Sequence, residues 1–250
     1  PGMMNFAQLL SQEAGYNIIY KGKFHMDALF TEFSQNWKSD PNATNTANDE
    51  DQNIAEKYFL NGWTSPDFGT ALVEADPTEN EIGTLAGGSG NNDDRVVNGV
   101  GFIGDGQESV IQYIQSLADN PPAQPFCLVV SLLNPHDVSL YPYGYAEAGY
   151  DLNSFQNISD IQTPDTYSDP LTSKPQVQGA FVNVFNNGGS KQKLDDNDAL
   201  LYSRFYAYLH TLSDALLEQV RLAWLNVSET LQNNTYLIRM ADHGEMGMAH

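Results

Sequence analysis

One stretch constrains the fold more than any other: Phe126-Cys-Leu-Val-Val-Ser-Leu-Leu133, eight residues, nearly all apolar. A strand with one wet face alternates polar and apolar side chains. A continuous apolar run is consistent with burial on both faces, the situation of a strand inside a parallel sheet covered by helices. Parallel strands need crossover connections long enough to hold a helix. One such helix is predicted just before the run, where Val110, Ile111, Ile114 and Leu117 form a stripe closed by Asp119-Asn120-Pro121-Pro122. The run then discharges into Asn134-Pro135-His136-Asp137, setting an imidazole beside a carboxylate at the strand's far end.

The same layout occurs twice more. Near the start, Phe6, Leu9, Leu10 and Ala14 hold helical spacing and Gly15 stops the helix. Tyr16 to Tyr20 follows as a strand, ending in Lys21-Gly22-Lys23-Phe24-His25. Near the end comes the longest predicted helix, about Asp198 to Leu225, with Leu201, Phe205, Tyr208, Leu212, Leu216 and Val220 on one face. His210, inside it, reads as solvent-facing or satisfied. A polar passage leads to Tyr236, Leu237, Ile238 and Met240, a buried-strand pattern that stops at Asp242-His243-Gly244-Glu245. Asp and Gly are also ordinary turn residues, so this last stretch alone fits a polar turn as well as a ligand pair. The predicted class is α/β, a mostly parallel sheet between helical layers. Residues 1–250 are predicted as a single domain with long irregular insertions at about 27–105 and 141–198. Loops of such length commonly border functional sites.

Composition narrows the partners. With 32 acidic against 11 basic residues the formal charge is −21, which disfavours nucleic acid and anionic membranes. The lone cysteine, Cys127, allows neither an intramolecular disulfide nor a Cys-based zinc site, and within its strand it reads as a small buried hydrophobe. No run reaches the roughly 18 apolar residues needed to span a bilayer. Pro1-Gly2-Met3-Met4 runs straight into a helix pattern, so no signal peptide is expected within the chain. N-x-S/T sequons at Asn42, Asn157, Asn226 and Asn233 hint at secretion.

If the strands run parallel, Lys23/His25, His136/Asp137 and Asp242/His243 emerge at one sheet edge, where open α/β sheets collect ligands. Their chemistry is coherent. Asp242 and His243 can ligate a divalent cation; a carboxylate-led site favours Ca2+ or Mg2+, and the mixed O/N donor set leaves Mn2+ or Zn2+ open. Lys23 and His25 would neutralise an anionic group in transfer, and His136 could give a proton to a leaving alkoxide.

Three segments carry a family likeness. Gly15-Tyr-Asn-Ile-Ile-Tyr-Lys-Gly-Lys-Phe-His-Met26 resembles the G-Y-x-T-x-x-x-G-K-W-H-L segment of the sulfatase family. The apolar strand ending in Pro135-His136-Asp137 resembles that family's P-H-x, and Ala241-Asp-His-Gly-Glu-Met-Gly-Met-Ala-His250 its S-D-H-G-E-x-x-x-x-H. Tyr58 to Trp63 is compatible with its G-F-D-x-W region. The resemblance implies an alkaline-phosphatase-like mixed sheet between helical layers. It also implies sulfate-ester hydrolysis at a divalent metal, usually calcium, with Mg2+ or Mn2+ as alternatives. By this likeness Asp242 and His243 are metal ligands and Lys23 and His25 contact the sulfate and the nucleophile. His136 assists at the leaving group, and His250 matches a second family histidine near the substrate. Substrates would be sulfated small molecules or glycans, and the location extracellular, periplasmic or secretory.

The departure is an absence. The family's Cys or Ser in C/S-x-P-x-R, converted to formylglycine, and its first-strand pair of Asp ligands are not here; Cys127 is followed by Leu-Val-Val. The expectation is an internal portion of a longer enzyme, completed by further segments of the same polypeptide and probed alone as an inactive piece. Two other readings stand beside sulfatase: a phosphodiesterase or phosphonate monoester hydrolase sharing the D-H-G-E motif, and a catalytically inactive sulfatase-like domain kept for binding or structure.

Overall fold

The computed structural model describes residues 4–23, 58–60, 91–99, 108–146, 148–180, 194–245 and 248 of the 250-residue chain. His25, His250 and most of the insertion at 27–105 lie outside the described residues.

Helix α1 (Phe6–Ala14) begins where Asn5 and Gln8 form a reciprocal capping box and ends at Gly15 in the left-handed conformation. Strand β1 (Asn17–Gly22) follows at once. Helix α2 (Asn91–Asn98) occupies a stretch whose Asn/Asp composition had suggested a loop. Its Val96 and Val97 are buried, and that packing overrides the weak propensity of the polar residues. Helix α3 (Val110–Asp119) opens on a second capping box, Ser109 with Gln112, and buries Val110, Ile114 and Leu117. Strand β2 (Phe126–Ser131) is next, two residues shorter than the apolar run. Helix α4 (Asp196–Trp224), capped by Asp195, and the short α5 (Glu229–Asn233) close the order of regular elements.

β1 and β2 pair in parallel, Asn17 opposite Phe126 through Gly22 opposite Ser131. The two faces of the sheet separate by side-chain alternation. Ile18 and Tyr20, with Cys127 and Val129, pack beside Ala7, Leu10 and Leu60. Leu128 and Val130 face the other way, against Val96, Val110, Ile114 and Val220. Helices therefore cover both faces, as the apolar run required, although β2 itself is half-buried rather than fully buried.

A second core forms where the sequence had suggested irregular chain. After β2 a 3-10 turn (His136–Leu140) leads into Tyr141, Ala148, Tyr150 and Phe155, which are buried against Tyr202, Phe205 and Leu209 of α4. The innermost line of α4 runs through Tyr202, Phe205, Leu209, Ser213 and Leu216, while Leu201, Tyr208, Leu212 and Val220 flank it half-buried. The predicted stripe is thus rotated. Ser213 can occupy a buried position because its Oγ donates to the Asn134 carbonyl at 3.1 Å.

The terminal strand is a correction. Residues 234–241 are irregular, and Tyr236, Leu237, Ile238 and Met240 stand between 65% and 95% exposed. Apolar, β-prone side chains make a strand only when a neighbouring strand takes up the backbone N–H and C=O groups. Among the described residues β1 and β2 pair only with each other. Side-chain ties hold the passage instead: Thr235 Oγ1 donates to the Leu231 carbonyl, and Arg239 pairs with Asp214 of α4 at 3.2 Å.

Candidate active site

The site is built at the carboxyl ends of β1 and β2. Gly22 closes β1 at φ 106°, and a Cβ there would stand 1.9 Å from the Ser131 carbonyl oxygen. Only glycine permits so close an approach in that conformation. The next amide, of Lys23, donates to the same carbonyl at 3.0 Å, fixing where Lys23 leaves the sheet. Lys21 is not part of this mouth. It is buried, its Nζ donates to the Glu108 carbonyl at 2.7 Å, and burial lowers its pKa against the pull of the Glu108 carboxylate.

Beyond β2 the chain turns through Leu133 and Asn134, and Asp93 of α2 holds that turn. Its two carboxylate oxygens accept from the Leu133 amide at 2.7 Å and the Asn134 amide at 3.1 Å. Burial pushes the Asp93 carboxyl up to about 6; the two amides and Lys23 pull it down, and Asp137 adds to the rise. Lys23, Asp93 and Asp137 therefore lie within electrostatic reach of one another. Asp137 is fully buried, and its Oδ2 accepts from the Tyr150 hydroxyl at 2.6 Å. The Asn134 amide group donates to that hydroxyl at 3.1 Å. Burial, then the Asp137 carboxylate, drives the Tyr150 pKa up, so the phenol keeps its proton and acts as a donor. His136 stands at the rim, its side chain 32% exposed, with Nδ1 3.9 Å from Asp137 Oδ1.

Lys23 and His136 thus leave parallel strands at the same end. Asp242 and His243 belong to the irregular passage, with side chains 85% and 75% exposed, and no described contact joins them to Lys23 or His136. Downstream, Glu245 accepts from the Tyr202 hydroxyl at 2.8 Å, tying the passage back to α4. The donor pair itself suits a cation. His243 Nδ1 lies 2.7 Å from the Gly244 carbonyl, which can only accept, so Nδ1 carries a proton. Nε2 then faces Asp242 Oδ2 at 3.6 Å, a spacing two ligands of one ion can hold. A backbone carbonyl fixing the tautomer of a ligand histidine is the usual outer arrangement of such sites. Among the described residues no group of three or more such ligands gathers.

A family model for sulfatases matches residues 2–249. The chain belongs to the sulfatase family. No curated protein and no solved structure matches it. The family carries an alkaline-phosphatase-like α/β fold, and the parallel strand pair between helices accords with it.

In this sulfatase chain Asp93, Asn134 and Tyr150 escaped sequence reasoning, because each lies in a passage that reads as loop. Asp137 was visible only as the neighbour of His136. The remaining trace was composition: an acid beside two valines in Asp93-Asp94-Arg95-Val96-Val97 is half of an amphipathic turn.

Asp93 also gives a pH-dependent stability. Between pH 3.8 and about 6 the unfolded chain releases this proton while the folded chain keeps it. Wild-type stability should therefore fall across that window by on the order of 3 kcal/mol and stay lower above it. Asp93→Ala removes this dependence but orphans two buried amides. Urea unfolding should give a penalty of about 1–3 kcal/mol at pH 7.5, and a larger one at pH about 4.5. A penalty that is flat or grows with pH would refute the burial assignment.

Proposed function

We propose that the chain works in the hydrolysis of sulfate esters, with residues 1–250 forming one sulfatase-type domain. The observation that carries this reading is that Lys23 and His136 follow the carboxyl ends of two paired parallel strands in a member of the sulfatase family. In a chain of net charge −21, a lysine set at that mouth is a local exception suited to an anion.

Lys23 would bind the sulfate oxygens and offset the charge that grows on them as the ester bond lengthens. His136 would donate a proton from Nε2 to the leaving oxygen as the S–O bond breaks and its electron pair moves to that oxygen. His25 and His250 are proposed beside them on the motif match alone. The attacking oxygen is proposed to belong to a formylglycine outside these 250 residues. Asp242 and His243 would hold a divalent cation, calcium first, which when bound supplies positive charge to the ester and the nucleophile.

The substrate is proposed to be a sulfated carbohydrate, because the polar stretch from Ser39 to Gln52 in the insertion at 27–105 suits the border of an extended cleft. An extracellular, periplasmic or secretory setting suits such a substrate. It is supported by the exposed sequon residues Asn157, Asn226 and Asn233, and no described helix is long and apolar enough to cross a membrane.

The test compares an aryl sulfate with an aryl phosphodiester, using the native protein purified with calcium. Turnover of the sulfate, lowered roughly tenfold or more by a chelator and restored by calcium, is the expected result. Preference for the diester would assign a phosphodiesterase instead. Turnover of neither would leave a domain kept for binding or structure.

A further inference from the structure

His136 and Asp137 present two polar atoms that the rest of the molecule leaves unused. Asp137 Oδ1 and His136 Nδ1 are both buried, and among the described residues neither has a hydrogen-bond partner. They face each other across 3.9 Å. Burying a carboxylate is costly unless both its oxygens are served, and Tyr150 serves only Oδ2. A capping role for Asp137 would account for its position in the first turn of the 3-10 helix, yet its free oxygen receives no backbone amide. The imidazole is the group placed to fill that vacancy. Catalytic hydrogen bonds are often long before substrate binds and tighten afterwards.

We propose that Asp137, held by Tyr150, is the positioning residue for His136: it fixes the imidazole as the Nδ1–H tautomer and steadies the imidazolium form. This assignment rests on the sulfatase reading of His136 given above. The carboxylate accepts from Nδ1, so Nε2 is the nitrogen turned to the mouth, and a proton taken up there is the one passed to a leaving oxygen. Asn134 and Tyr150 complete a chain of donors, Asn134 amide to Tyr150 hydroxyl to Asp137, which leaves the carboxylate one orientation. Asp93 sits behind it, pinning the backbone on which His136 is carried.

Asp137→Asn tests this with little change of shape. The introduced amide must turn its oxygen to the Tyr150 hydroxyl, and its NH2 then faces His136 Nδ1 and forces the opposite tautomer. Histidine-selective 15N NMR of the native protein, assigned with His136→Gln, should show Nδ1–H at His136 at a pH of about 8.5, above the ordinary imidazole range. The Asp137→Asn protein should show Nε2–H. On an aryl sulfate, kcat should fall about 10- to 100-fold with KM within about threefold and an unchanged melting curve.

Nε2–H in the wild-type spectrum overturns the proposal, and that spectrum decides even if the variant does not fold. An Asp137→Asn protein with unaltered tautomer and kcat overturns it as well. Tautomer inversion with no kinetic effect in either Asp137→Asn or His136→Gln keeps the pair and removes the sulfatase reading of His136, so the two failures are distinct.

Discussion

Replacing Phe205 by alanine should lower the unfolding free energy by about 3–5 kcal/mol, the range for an aromatic ring removed from a closed core. Phe205 is fully buried at the centre of the aromatic cluster. Its ring centroid lies 4.8 Å from that of Phe155, 5.1 Å from Tyr150 and 5.8 Å from Tyr145, mostly in edge-on or tilted contacts. The neighbours are stiff rings on separate segments, so they cannot collapse into the space one ring leaves. Urea titration followed by circular dichroism measures the loss. A change below about 1 kcal/mol would mean that the cluster is not a packed core. Tyr150 leans on the same ring, so the variant should also lose activity out of proportion to the fraction unfolded.

His136→Gln should cut kcat/KM for an aryl sulfate by about 10²- to 10⁴-fold, the contribution of a positioned general acid. Gln keeps a polar side chain of related size but cannot become a cationic proton donor. Stability should fall by no more than about 1 kcal/mol, because the His136 side chain is partly exposed and the amide of Gln can still donate towards Asp137. Steady-state kinetics with a parallel melting curve separates the two effects. The loss should shrink for esters with very acidic leaving groups, which depart without a proton. A variant equally impaired on all leaving groups would place His136 in sulfate binding rather than in proton transfer.

How much of this was legible beforehand depends on how local each signal is. The helix stripes before Gly15 and before Asp119, the stop at Gly15 and the apolar run from Phe126 all act within a few residues, and the structure carries them, with β2 two residues shorter and less buried than the run suggested. Parallel pairing of β1 with β2 followed from the same local patterns and the length of chain between them. Lys23 and His136 came with the strand ends. Asp93 and Tyr150 did not, because their roles exist only through partners 40 and 13 residues away, and no periodicity announces such a bond. The passage from Tyr236 to Met240 failed in the opposite direction. Its side chains are those of a strand, but strand formation is a property of two backbones rather than one. His25 and His250 lie outside the described residues, so their placement stays with the motif match.

The bond from Asp93 to the amides of Leu133 and Asn134 has a consequence for motion. A surface turn usually opens on its own, at little cost, as one of a protein's least protected segments. Here the turn that carries His136 is fastened to a helix from a distant part of the chain, whose Val96 is buried with the residues that cover the sheet. Opening the turn means lifting α2 from that core, an event close to unfolding the whole layer. The imidazole's backbone should therefore exchange its amide hydrogens slowly for a turn, which leaves adaptation to a substrate mainly to the side chain.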